Sequence, residues 1–475
     1  MTTTAFRLSN LYPDLAERLA ALARNARPTD ILSLVLPLAP ELGWPKGWSQ
    51  EPTAMAWSRP SEQESWLALG AACSVDSAGP GRFAALQAAF AGLTPGWRLD
   101  DREQWNERSL GPLASIGFAF HEESPSGRHE PLPNARLRVP ALLLRRRGDE
   151  RTLVLSCPAD KPDTHLWETL WSQAWQTPDE TAPAPAWRRP EAPLVDQAFL
   201  ARTRAALAEI AQGRLDKVVL TRRIQLKADR PLAAASLFGA LEARQPGCTV
   251  FAVGHSGGTF IGATPERLLS LHQGHLETEA LAGTSWYAPA ERAEGPASTA
   301  LEGQKNQAEH ACVAQAIRQA LASVCPDLAA APARILELPG SSGLRHLRTA
   351  FSGQVLPGVT LFDLAARLHP TPAVGGWPTT PARQWLRQHG EDRPAWYSGG
   401  LGWINLQGDG NLAVALRCAR LAGQEAELYA GAGIVAGSNP EEELAETEAK
   451  LGPMLDALHA PSAAAFIPDR RHGTG

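Results

Sequence analysis

The stretch Leu428–Leu451, LYAGAGIVAGSNPEEELAETEAKL, organises the rest of the chain. It opens as a strand, Leu428-Tyr429-Ala430, and breaks at Gly431-Ala432-Gly433, where glycine permits a positive φ or a close approach to the backbone. Asn439-Pro440-Glu441 then begins a helix, with an Asx N-cap, proline at the first helical position and acids in the first turn. Glu443 and Glu446 are three apart and Lys450 is four beyond Glu446, so all three project from one face. Two carboxylates aimed alike beside a glycine-lined strand end suit a hard divalent cation bound through oxygen. They equally suit a solvated face, because acids favour helix N-termini and Glu-to-Lys pairs at this spacing are common.

Composition narrows the classes. The 475 residues exceed one average domain, and 44% hydrophobic with 20% charged residues is ordinary globular composition. A net charge of −5 argues against a nucleic-acid surface. Twelve histidines and six cysteines show no zinc-ligand spacing, and the scattered cysteines suit reduced thiols. The N-terminal residues lack a basic segment followed by an apolar core, and no apolar run approaches the ~20 residues of a membrane helix. The expectation is a cytoplasmic protein without a membrane or nucleic-acid partner, its oligomeric state unreadable.

Residues 1–177 read as mixed helix and strand, with strands expected at Ile31–Pro37, Trp66–Ala72, Ile116–Phe120, Leu137–Leu144 and Thr152–Ser156. Residues 178–193 are a Pro/Ala-rich linker or surface crossing, and 460–475 a disordered tail. Between them, 194–459 carries the chemistry. Its strands come in neighbouring pairs with long helices over them, which indicates an α+β fold. One of these strands is expected to span Leu412–Ala419. Residues from Thr284 to about Gln304 form a surface loop.

Within that region several ionisable residues stand at element ends. Lys217 opens the apolar strand KVVL; it is either an edge residue or, if buried, a lysine whose lowered pKa makes it a base. Glu266 follows Thr264-Pro265 and is either exposed or, in an apolar cleft, an acid with a raised pKa. Glu309 begins a helix, where capping alone would account for it. Arg417 lies in the run AVALRCA and needs a partner, either an internal carboxylate or one on a substrate. His346 and His369, each taken alone, read as structural.

From about Phe199 to Leu458 the chain resembles the chorismate-utilising enzymes, a family of isochorismate, salicylate, anthranilate and aminodeoxychorismate synthases. The resemblance rests on LDKVVLTRR (215–223), IGATPERLLSL (261–271), ALAGT (280–284), AEH (308–310), RHLRTAFSG (345–353), LHPTPAVGG (368–376), LGWINLQGDGNLAVALRCA (401–419) and the opening stretch. It implies one large α+β chorismate-binding domain of two facing, mainly antiparallel sheets ringed by helices, with the active site in a deep cleft. It implies Mg²⁺ at Glu309, Glu443 and Glu446, clamping one carboxylate of the substrate chorismate. The implied substrate-binding set is Gly283, Thr284, His346, Arg417, Tyr429, Gly431, Gly433 and Lys450.

The resemblance also sorts the members. Isochorismate and salicylate synthases have lysine where Lys217 stands, and amine-transferring members usually have glutamine. Aminodeoxychorismate synthases place a nucleophilic lysine where this chain has Ala282. Water is then the expected nucleophile: Lys217 deprotonates it for attack at C2, and Glu266 protonates the departing C4 hydroxyl. The implied activity is isochorismate synthase, feeding menaquinone or siderophore synthesis. The alternatives are a salicylate synthase, an anthranilate synthase-like amine transferase and a catalytically silent binding relative. The chain departs from the family where a serine and an acid often precede Glu309, since Gly303, Lys305, Asn306 and Gln307 stand there. It departs again after ALAGT, where Ser285-Trp286-Tyr287 replaces a common basic residue.

Overall fold

The computed structural model describes residues 7–123, 132–176, 185–190, 193–285, 303–337 and 344–459. Most of the expected linker, loop and tail lies outside these residues.

Two sheets carry the fold. Across the larger, the strand order is Trp187–Arg188, Lys217–Ala228, Glu425–Val435, Cys418–Ala422, Gly258–Thr264, Thr249–His255, Met55–Arg59, Glu64–Leu69, Leu142–Arg147, Glu150–Pro158, Ile31–Pro37 and Trp97–Asp100, with Gly376–Trp377 beside Lys217–Ala228. Across the smaller it is Ala329–Ala330, Arg345–Gln354, His275–Ser285, Arg267–His272, Gly410–Val414, Gly400–Asn405, Leu113–Phe118, Ala135–Val139 and Cys73–Ser77, with Arg334–Glu337 on Arg345–Gln354. Pairing is antiparallel throughout except between Ile31–Pro37 and Trp97–Asp100. Strands from before residue 160 and after residue 210 therefore share both sheets. One buried cluster draws Trp57, Trp66 and Phe251 from the larger sheet and Leu401, Trp403 and Ala413 from the smaller.

Among the described residues the chain passes from one sheet to the other at four short hand-overs, the first at residues 70–72, where the strand expected over Trp66–Ala72 ends at Leu69. Leu137–Leu144, read as one strand, is two: Ala135–Val139 pairs in the smaller sheet and Leu142–Arg147 in the larger. Leu412–Ala419 likewise divides, Gly410–Val414 from Cys418–Ala422, with Arg417 at φ +48 between them. Leu142–Arg147 over its first four residues and Gly410–Val414 throughout are buried on both faces, so the apolar residues there run on without alternation and hide the break, whereas Ala135–Val139 alternates buried and half-buried residues. The remaining hand-over, at Pro265-Glu266, follows Gly258–Thr264 and precedes Arg267–His272. It lies against the one that carries Arg417. Ala263 N–H donates to Arg417 C=O (3.2 Å), and Val414 N–H donates to Glu266 C=O (3.1 Å).

The break read at Gly431–Gly433 is absent. Glu425–Val435 runs straight through, pairing Thr221 with Gly431 and Val219 with Gly433, and neither glycine has a positive φ. The helix Pro440–Leu458 starts as its sequence requires: the Asn439 side chain accepts from the Glu441 and Glu442 amides, with Pro440 at the first position. All six cysteines are free; four are buried, and Cys73 and Cys312 are half-buried. No described helix is long and apolar enough to cross a membrane.

Candidate active site

A cleft of roughly 700 Å³, open mouth included, is lined by Glu266, Ala282, Gly283, Thr284, Glu309, His346, Arg417, Tyr429, Gly431, Gly433 and Lys450. Its walls come from both sheets, from the helix Gln304–Leu321 and from Pro440–Leu458. Of the expected residues, Lys217, Glu443 and Glu446 do not line it but stand immediately behind.

Lys217 is 1% exposed, which settles the edge-or-buried alternative for burial. Its Nζ lies 2.8 Å from Glu309 Oε1. Gly433 makes room for this pair. A β-carbon on it would sit 2.5 Å from Glu309 Oε1 and 3.0 Å from Lys217 Cε. The glycine is required by close approach, not by a left-handed turn. Burial disfavours the charge on Glu309, but Lys217, then Lys450 and Lys305, outweigh it and hold the carboxyl below the usual range.

Glu266 is 5% exposed. Burial, then the neighbouring Glu279, pushes its pKa up to about 8 against the opposing pull of Lys217, Lys450 and Arg417. At neutral pH it is a protonated acid able to give up a hydrogen. Glu279 is itself anchored by the Arg267 amide (2.9 Å) and Arg348 Nε (2.6 Å).

Among the described residues no carboxylate forms an ion pair with Arg417. Its Nη2 lies 2.6 Å from His346 Nε2, and its Nη1 is buried without a hydrogen-bond partner. A guanidinium can only donate, so His346 accepts at Nε2 and carries its hydrogen on Nδ1, 3.2 Å from Thr284 Oγ1. Burial, then Arg417 and Lys450, keeps His346 neutral, well below its ordinary pKa. The unpartnered Nη1 leaves a donor for a substrate carboxylate. Gly283, at φ +77, sits on an irregularity in the pairing of His275–Ser285 with Arg345–Gln354.

Tyr429 donates its hydroxyl to Glu427 (2.7 Å) and offers the cleft a ring, stacked on Tyr397 at 5.2 Å. Sequence reading missed Tyr397; PAWYSGG carries no motif that marks it out, and only its place against Gly431 does. Lys450 donates to Gly431 C=O (2.9 Å) and lies 2.7 Å from Glu446 Oε1.

The three glutamates supply only oxygen, as Mg²⁺ prefers. Glu443 is 1% exposed, and its Oε2 is buried without a partner. Burial, then Glu446, raises Glu443 to about 7 against the opposing pull of Lys305. The donor chemistry fits a divalent cation. The side-chain positions differ from those of ligands: among the described residues no three His, Cys, Asp or Glu converge on a metal-sized point. Each glutamate is held by a lysine instead, Glu309 by Lys217, Glu446 by Lys450 and Glu443 by Lys305.

The fold, cleft and sequence blocks together define a chorismate-binding enzyme: residues 18–459 match the family described as "Chorismate binding enzyme", and the chain belongs to it. Among its relatives is the salicylate biosynthesis isochorismate synthase of Pseudomonas aeruginosa, 31% identical over 445 residues covering 89% of each chain. The isochorismate synthase MenF of Bacillus subtilis is 30% identical, covering 76% of this chain and 78% of its own. A putative isochorismate synthase of Aeromonas hydrophila is 39% identical over 268 residues, 55% of this chain and 66% of its own. Among solved structures, the menaquinone-specific isochorismate synthase MenF of Escherichia coli matches with a TM-score of 0.73 at 27% identity, covering 94% of this chain and 99% of that one.

Proposed function

We propose that this chain is an isochorismate synthase, converting chorismate to isochorismate with Mg²⁺. The observation that carries the reading is a carboxyl, Glu266, kept protonated to about pH 8 in a cleft backed by the buried Lys217 and with alanine at 282. With no amine at residue 282, water is the nucleophile. Lys217, in its neutral amine form, accepts the water's proton and becomes an ammonium as the water oxygen bonds to C2. The two ring double bonds shift, the C4–O bond breaks, and Glu266 protonates the departing hydroxyl. One water enters and one leaves, so the step is an isomerisation. Arg417, steadied by His346, receives a substrate carboxylate through Nη1. Glu309, Glu443 and Glu446 would hold Mg²⁺, which would neutralise their charge and fix the other carboxylate.

The product serves menaquinone or siderophore synthesis, and the enzyme works in the cytoplasm. The relatives' names carry menaquinone-specific, salicylate and vibriobactin synthesis. Incubation with chorismate and Mg²⁺, with products resolved by chromatography, tests the activity. Isochorismate without free pyruvate is expected, and recovery of unchanged chorismate overturns the reading.

A further inference from the structure

Lys305 has no part in the chemistry above, yet its ammonium lies where the negative charge is densest. Nζ is 2.5 Å from Glu443 Oε1, and after Glu443 the charges acting on it most strongly are Glu446 and Glu309. One lysine thus pairs with one of the three carboxylates that the proposed function assigns to the metal and lies within the field of the other two. It stands in the first turn of Gln304–Leu321, whose N-cap Gly303 offers no side-chain bond. A positive charge near a helix N-terminus is locally unfavourable, so the helix itself gives no reason for lysine here. Its partner gives one: Glu443 is almost wholly buried, and a buried carboxylate without a counterion is costly. Lys305 differs from the lysines beside it. Lys217 is 1% exposed and Lys450 19%, whereas the Lys305 side chain is 31% exposed, with an open route to water. A flexible ammonium that can swing out is the most readily exchanged of the three cations.

We propose that Lys305 is a tethered stand-in for the divalent cation: it holds the ligand set together in the metal-free enzyme and must withdraw from Glu443 before a metal binds. The inference rests on the assignment of Glu309, Glu443 and Glu446 as the metal site. Its consequence is a built-in weakening of metal affinity. The metal displaces an existing ion pair, and the free enzyme avoids a cluster of uncompensated carboxylates.

The test is Mn²⁺ titration of the full chain, read by the loss of the free-ion EPR signal, for the native protein and for Lys305→Gln, Lys305→Met and Lys305→Arg. The uncharged variants should bind Mn²⁺ more tightly by about tenfold or more, the scale of one charge-assisted bond no longer displaced. Lys305→Arg should stay close to the native value. The melting temperature in EDTA should fall for the uncharged variants, and its rise on adding Mn²⁺ should be larger than in the native protein. Native and uncharged variants binding equally, or the variants binding more weakly, overturns the role of Lys305 and leaves the metal site standing. Binding by neither overturns both. Binding by the uncharged variants alone is the proposal in its strongest form.

Discussion

Lys217 Nζ and Glu309 Oε1 lie 2.8 Å apart, a buried pair joining the first residue of a strand to a helix that begins 87 positions later (304 − 217). Each residue depends on the other for its charge balance, so the two roles proposed for them, base and metal ligand, are coupled. Lys217→Ala should lower turnover by roughly 10²–10⁴-fold, the usual contribution of a positioned base, and leave chorismate affinity within a few-fold. Steady-state kinetics with equilibrium binding checks this. Unaltered turnover would remove Lys217 from the role.

The protonation of Glu266 sets the alkaline side of the pH profile. Its pKa of about 8 means that turnover should decline as pH rises through 8, where the acid loses its proton. Stability carries the same signature. The folded protein keeps this proton between about 4.5 and 8 while the unfolded chain releases it, so this residue makes stability fall with rising pH across that window. Glu266→Gln should abolish turnover and flatten that dependence in melting curves taken across pH. A profile unchanged at the alkaline side would count against Glu266 as the acid.

Gly433 is a steric test of the Lys217–Glu309 pair. Gly433→Ala places a methyl group 2.5 Å from Glu309 Oε1, so the carboxylate must move. Turnover and Mn²⁺ affinity should both drop. Gly239→Ala, in the helix Ala234–Arg244 with open space at its β-carbon, is the control. It should keep activity and gain about 0.5–1 kcal/mol of stability, read by denaturant unfolding. Native-like metal affinity in Gly433→Ala would show that Glu309 need not stay where it is.

Arg417→Met should raise the KM for chorismate roughly tenfold to a hundredfold, because a hydrogen bond to a charged group contributes about 1.5–3 kcal/mol. Arg417→Lys should recover only part, since a single ammonium cannot reach both His346 and a carboxylate. A KM unmoved in both variants would dissociate the guanidinium from the substrate.

Much of this site is legible in the sequence because its parts are local. The Asn439-Pro440 start and the 443, 446, 450 spacing define a helix face without any tertiary information, and that face is the one turned toward the cleft. Lys217 is legible as a charge opening an apolar strand. What escapes is long-range. Lys305 stands out in the sequence only as a departure from the family pattern before Glu309, and its role escapes because its partner lies 138 residues away. Gly431 and Gly433 look like a break because a glycine kept small for a neighbour is indistinguishable, in one sequence, from a glycine bent for a turn. The division of 137–144 and 412–419 between two sheets escapes because the second half of the first stretch and the first half of the second are buried on both faces and lose the period that would mark the change.

Two of the four hand-overs lie side by side, tied by the amides of Ala263 and Val414 in the strands that lead into them, and one carries Glu266 while the other carries Arg417. The proton donor and the anion receptor are thus mounted on a single joint. The spacing between acid and guanidinium is therefore set by backbone hydrogen bonds of the fold and not by the side chains around either group.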